Sequence, residues 1–225
     1  MTPVTAILFD LDGTLVDSAR GIHAALNEVL TTLTGHGCSI EDVRRWVGNG
    51  PEKLVERGLY SHGYEDDASR AHALFREAYQ RTLMQADIYP GVIKGLATLQ
   101  HQGLRLACIT NKSSHFTGTF LAELGLASFF ERVLCGDEVE RPKPDPQSLV
   151  QVCAEFGIEP AAAIMVGDSE NDLKPAHAIG MRGIAVGYGY HGDLPLEAFH
   201  PLAIVDDFES VVKLCLSAAS PAPQH

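Results

Sequence analysis

The spacing of apolar residues changes twice along this chain, and the changes mark out its organisation. Ala6-Ile7-Leu8-Phe9 is a continuous apolar run, the pattern of a central strand covered on both faces of a parallel sheet. From Ser18, which can cap a helix, the spacing becomes helical. Ile22, Ala25, Leu26, Val29, Leu30 and Leu33 recur until Gly35, which suits the end of a helix. Ser39 with Asp42 resembles a capping box for a second helix reaching about Val47. Gly48-Asn49-Gly50 breaks the chain, and Pro51 suits the first turn of a third helix ending near Gly58. A fourth helix fits 67–86, with Ala71, Leu74, Phe75, Ala78 and Tyr79 along one face. Residues 17–85 therefore predict helices and no strand.

After Tyr89-Pro90-Gly91 the chain alternates. Strands are predicted at 106–109, 132–135, 163–166, 184–186 and 203–205, with helices at 92–102, 114–124, 147–156, 170–179 and 208–216. Alternating strands and helices imply right-handed βαβ units and a doubly wound parallel sheet, a Rossmann-like α/β fold. The expected organisation is a core of residues 1–16 and 86–216 with an all-helical insert at 17–85. Its crossings lie near Val16-Asp17 and Asp87-Ile88, and the polar tail 217–225 reads as disordered.

Composition narrows the class. At 225 residues the chain can bury a full core. A net charge of -12 with no basic run argues against nucleic acid as a partner. The five cysteines form no C-x-x-C pair; Cys108 and Cys153 fall on apolar positions, which reads as core packing in a reducing cytosol. With no signal peptide and no apolar stretch approaching the ~20 residues of a membrane span, the expectation is a cytoplasmic protein without a membrane partner, as a monomer or small homo-oligomer.

The chemistry gathers where predicted strands end. Asp10 and Asp12 follow the first, Thr110 and Asn111 another, and Asp168 with Asp172 a third. Strand ends of a parallel sheet open into one crevice. Buried acids need a positive partner, and an oxygen-only cluster selects a hard cation, Mg²⁺ before Zn²⁺. One carboxylate can then attack phosphorus, while a second carries the proton for the leaving oxygen. Gly187, Gly189 and Gly192 satisfy G-x-G-x-x-G after a strand, but no helix pattern follows and Pro195 intervenes, so a dinucleotide site is not expected. The histidines show no metal-ligand spacing, with His115 the one nearest the motifs.

Asp10-Leu11-Asp12-Gly13-Thr14, Thr110-Asn111, Lys143 and Gly167-Asp168 with Asp172 together resemble the four ordered motifs of the haloacid dehalogenase (HAD) superfamily. The helical insert is similar to the helical cap of one of its subclasses. The resemblance implies a Mg²⁺-dependent phosphomonoester hydrolase working through a phospho-aspartate. Asp10 would be nucleophile and metal ligand. Asp12 would be acid/base, with its main-chain carbonyl on the metal. Thr110 and Asn111 would hold the phosphoryl group, Lys143 would neutralise it, Asp168 would ligate the metal, and Asp172 would orient the site. Asp12 favours phosphoryl transfer over dehalogenation, which has no leaving alcohol to protonate. The stretches 43–50, Leu54-Val55-Glu56-Arg57, Thr110-Asn111-Lys112 and Tyr188-Gly189-Tyr190 resemble the phosphoglycolate phosphatases of that superfamily. Their resemblance implies a small phosphorylated metabolite, 2-phosphoglycolate, as substrate. Arg44, Arg45 and Lys53 are the cap cations available to read its carboxylate, and Trp46 is expected to pack within the cap. Rival readings are another small phosphate ester or pyrophosphate, a mutase that passes the phosphate to a sugar, or an inactive binding protein on the same scaffold.

Overall fold

The computed structural model describes residues 2–64, 68–192 and 195–219. Its centre is strand β1 (Ala6–Phe9), every residue of which is buried. Strands β4 (Arg105–Thr110), β5 (Arg132–Cys135), β6 (Ala163–Gly167), β7 (Arg182–Val186) and β8 (Ala203–Val205) join it in a parallel sheet of order β5-β4-β1-β6-β7-β8. The chain leaves β1 towards β4 and β5, then returns to the other side of β1 through β6. Topology therefore switches at β1, where open α/β sheets bind ligands beyond the carboxyl ends of their strands.

Helices cover both faces. Helices α5 (Val92–His101), α6 (Ser114–Glu123) and α9 (Phe208–Ala219) contribute Leu96, Leu99, Phe120, Phe208 and Val211 to the apolar cluster that holds Ile7 and Phe9. Helices α7 (Gln147–Phe156) and α8 (Glu170–Ala178) cover the opposite face, where Leu149, Val152 and Ala176 meet Ala6, Leu8 and Met165. Helix α9 continues through Ser217 to Ala219, residues expected to lie in the tail; 220–225 lie outside the described residues.

Between β1 and β4 come helices α1 (Ala19–Thr34), α2 (Ile40–Trp46), α3 (Gly50–Ser61) and α4 (Ala68–Thr82). The expected boundaries hold for α1, which ends on Gly35 at φ 77, and for α2, whose Ser39–Asp42 capping box is present. Ser18 occupies the N-cap of α1, but its side chain makes no capping bond. Helix α3 runs one turn past Gly58, α4 ends before residue 86, and its predicted start at 67 falls outside the described residues. Val16–Asp17 (β2) pairs antiparallel with Asp87–Ile88 (β3), a ribbon that the sequence did not predict because two residues carry no readable period. It stands where the chain enters and leaves the four helices, and the Arg20–Asp87 ion pair ties α1 to it.

Candidate active site

Strand register brings the polar ends together. Phe9 is level with Cys108 on β4 and Val166 on β6, and the Asp10 amide donates to the Val166 carbonyl at 2.9 Å. Asp10 thus emerges between Thr110 and Asp168. Asp10, Asp12, Thr110, Asn111, Lys143, Asp168 and Asp172 all line one cavity, closed over by Val47, Gly48, Leu54, Phe75 and Tyr79 from the helical insert.

Lys143 sits at the centre and is 3% exposed. Its ammonium donates to Asp10 at 2.8 Å, to Asp172 at 2.6 Å and to the Ile109 carbonyl at 2.6 Å, which uses all three of its protons. Burial opposes its charge, yet Asp10 and Asp172 hold the ammonium above its ordinary range. Burial pushes the Asp10 carboxyl up to about 7, opposed by Lys143 and reinforced by Asp172 and Asp12. Asp168 is raised well above its ordinary value, first by burial and then by Asp10 and Asp172. With all four aspartates ionised against Lys143 and Lys112, this cavity carries an excess of negative charge, and burial together with this excess holds protons on Asp10 and Asp168.

Ligand oxygens of Asp10, Asp168 and Asp172 lie within 4.8 Å of one another, and all three residues are buried. An oxygen-only, negatively charged, buried set fits a hard divalent cation. Asp172 also serves its own helix: Ser169 caps α8, and the Asp172 carboxylate accepts from its backbone amide and hydroxyl. Asp168 is not a cap. It accepts from the Tyr190 amide at 2.5 Å and from the Thr14 hydroxyl at 3.5 Å. Gly189 of the G-x-G pattern belongs to this contact, since a Cβ there would lie 2.2 Å from the Asp168 Cβ. Gly13, at φ +89, also lies close against the Asp168 carboxylate.

The Thr110 hydroxyl accepts from the Lys112 amide at 3.1 Å, which leaves its own proton to donate. The Asn111 side-chain amide donates to the carbonyls of Lys143 and Gly48 at 2.7 and 2.8 Å. Gly48 also accepts from Asn171, and Asn49 donates to Asn171 at 2.9 Å, so the 48–49 turn is seated on the sheet's ligand edge. Arg57 fixes that turn by donating to the Trp46 carbonyl and the Asn49 side chain at 2.6 and 2.7 Å. Trp46 packs against the apolar cluster shared with the insert.

The expected cap cations stand elsewhere. Arg44 pairs with Asp17, Arg45 with Asp42 and Lys53 with Glu56. None lines the cavity, because helical spacing turns Val43, Leu54 and Val55 inward and these three outward. The buried cation beside Asp12 is Lys112, 3.2 and 3.3 Å from its two oxygens and 2.5 Å from the Tyr79 hydroxyl. His115 is exposed, stacks edge-on against Phe116 and faces a separate cleft with His72 and Arg76. Neither Tyr79 nor Asn171 carries a sequence signal of a site residue, and Lys112 stands out only as part of Thr110-Asn111-Lys112.

Proteins of known family are similar to this chain in sequence and structure over nearly its whole length. A phosphoglycolate phosphatase of Pseudomonas putida is 37% identical over 219 residues, covering 95% of this chain and 80% of that protein. One from Nitrosococcus oceani is 36% identical over 218 residues, covering 95% and 97% respectively. The crystal structure of a predicted phosphoglycolate phosphatase from Haemophilus somnus superposes with a TM-score of 0.88 at 30% identity, covering 95% of this chain and 99% of that one. The sequence model for haloacid dehalogenase-like hydrolases matches residues 7–186, from the first residues of β1 to the end of β7. The chain therefore belongs to the haloacid dehalogenase-like hydrolase family.

Proposed function

We propose that the protein is a Mg²⁺-dependent phosphatase that hydrolyses 2-phosphoglycolate to glycolate and phosphate through a phosphorylated Asp10. The observation that carries this reading is the meeting of Asp10, Asp12, Thr110, Asn111, Lys143 and Asp168 at the one point where the sheet's topology reverses. Relatives named phosphoglycolate phosphatase support the substrate.

Asp10, Asp168 and the main-chain carbonyl of Asp12 would hold the cation, with Asp172 orienting the set beside Lys143. When bound, Mg²⁺ offsets the excess negative charge that otherwise repels a phosphate dianion. Asp10 attacks phosphorus, and the bond from phosphorus to the leaving oxygen breaks as Asp12 gives that oxygen its proton. The Thr110 hydroxyl and the Asn111 main-chain N–H take the equatorial oxygens, while Lys143 balances their charge. In the second half, Asp12 removes a proton from water, which attacks the phosphorus on Asp10 and frees the carboxylate. Free thiols at Cys38, Cys108, Cys135, Cys153 and Cys215 support work in a reducing cytosol. Among the described residues no helix is long and apolar enough to cross a membrane.

The test is phosphate release with Mg²⁺ from 2-phosphoglycolate, sugar phosphates, nucleotides and pyrophosphate. The expected result is the highest kcat/KM on 2-phosphoglycolate; a low rank for it would remove the proposed substrate. Asp10→Asn is expected to abolish turnover with the fold intact, because an amide does not attack phosphorus.

A further inference from the structure

The cavity has two buried cations, and only one has all its protons bonded within the site described above. Lys143 is saturated by Asp10, Asp172 and Ile109. Lys112 is 8% exposed and lies at 3.2 and 3.3 Å from the two Asp12 oxygens. Near-equal distances fit one N–H shared between them. A second N–H donates to the Tyr79 hydroxyl at 2.5 Å, which leaves the third for a ligand.

Tyr79 is 3% exposed. Its oxygen accepts from Lys112, so its own proton remains, and among the described residues no acceptor takes it. A buried hydroxyl proton without an acceptor carries a cost that a bound anion removes. The ring cannot swing away to solvent. It stacks on Phe75 with centroids 5.4 Å apart and meets Phe116 edge-on at 5.0 Å. The Lys112 ammonium is also held over the Tyr79 and Phe120 rings, 4.7 and 4.8 Å from their centroids.

We infer that the Lys112 N–H and the Tyr79 O–H form a two-donor clamp for a carboxylate carried on the leaving side of the substrate. The inference rests on the reading of Asp12 as proton donor to the leaving oxygen. Lys112 adjoins Asp12, so the clamp lies beside whatever that oxygen carries. Tyr79 comes from helix α4 and Lys112 follows β4, so the clamp exists only while the insert faces the sheet. Ile22, Leu54, Phe75 and Phe116 line the same cavity with apolar surface, which strengthens a charged hydrogen bond made there.

The test compares kcat/KM for 2-phosphoglycolate with that for ethyl phosphate, which keeps the two-carbon leaving group and lacks the carboxylate. Tyr79→Phe keeps the ring and deletes the donor, and the acid-to-neutral ratio should fall about tenfold or more, as for loss of a hydrogen bond to a charged group. An unchanged ratio in a folded variant would overturn the clamp. The wild type gives a second test: phosphonopropionate should inhibit at about tenfold lower concentration than propylphosphonate, and equal inhibition would also overturn it. Should another acidic phosphate ester outrank 2-phosphoglycolate and lose its preference in Tyr79→Phe, the clamp stands and the proposed substrate falls. Should 2-phosphoglycolate rank first and both esters suffer equally, the substrate stands and the clamp falls.

Discussion

Asp10 holds its proton more tightly in the folded chain than outside it, with the carboxyl raised from 3.8 to about 7 chiefly by burial. Its contribution to stability is therefore fully present below about pH 4 and is lost as pH rises through 7. Asp168 shifts in the same direction for the same reason. Metal-free protein should thus melt at a lower temperature at pH 8 than at pH 5, and Mg²⁺ should raise the melting temperature more at pH 8. Equal Mg²⁺ stabilisation at both values would count against a cation on these carboxylates. Gly189 makes a separate prediction at this scale. A Cβ there would sit 2.2 Å from the Asp168 Cβ, so Gly189→Ala must displace that carboxylate. Mg²⁺ affinity, read from the concentration giving half-maximal activity, should weaken about tenfold or more, the effect expected when a metal ligand loses its support.

Among the elements, the turn between α2 and α3 is the part of the insert that touches the phosphate-holding residues. Arg57 holds it through the Trp46 carbonyl and Asn49, and Gly48 takes the amides of both Asn111 and Asn171. Arg57→Ala removes two charge-assisted bonds of about 1.5–3 kcal/mol each, and kcat/KM should fall about tenfold or more. Arg57→Lys should rescue little, since an ammonium lacks the two-pronged geometry; full rescue would show that charge alone is needed. Tyr190 links another pair of elements. Its amide donates to Asp168 and its hydroxyl donates to Asp17 in the β2–β3 ribbon at 2.6 Å. The long elements were legible because each repeats its apolar period over several turns or a full strand. The ribbon was not, because two residues have no period. Tyr79 was hidden by the same rule that located α4: it continues the apolar stripe of Ala71, Phe75 and Ala78, so its ring predicts core and its hydroxyl goes unread. Arg44, Arg45 and Lys53 failed as cavity residues for the converse reason, being chosen by charge without regard to which way the helix turns them.

For the whole molecule, the sheet order puts β1 between β4 and β6, and this alone converts three motifs far apart in sequence into one site. Strand ends at Asp10, Thr110 and Asp168 are legible as convergent from the sequence, because parallel strands open on the same side. Lys143 was legible only through resemblance, since a proline-flanked lysine in a loop has no pattern of its own. Its three bonds to Asp10, Asp172 and Ile109 are a tertiary fact. In the proposed reaction Asp10 is the nucleophile that bonds phosphorus, and acid-quenched protein taken during turnover of 2-phosphoglycolate tests this directly. Mass spectrometry of its peptides should find phosphate on Asp10 in the wild type and on no residue of Asp10→Asn. Steady turnover with phosphate on another residue, or undiminished phosphate release by Asp10→Asn, would contradict it.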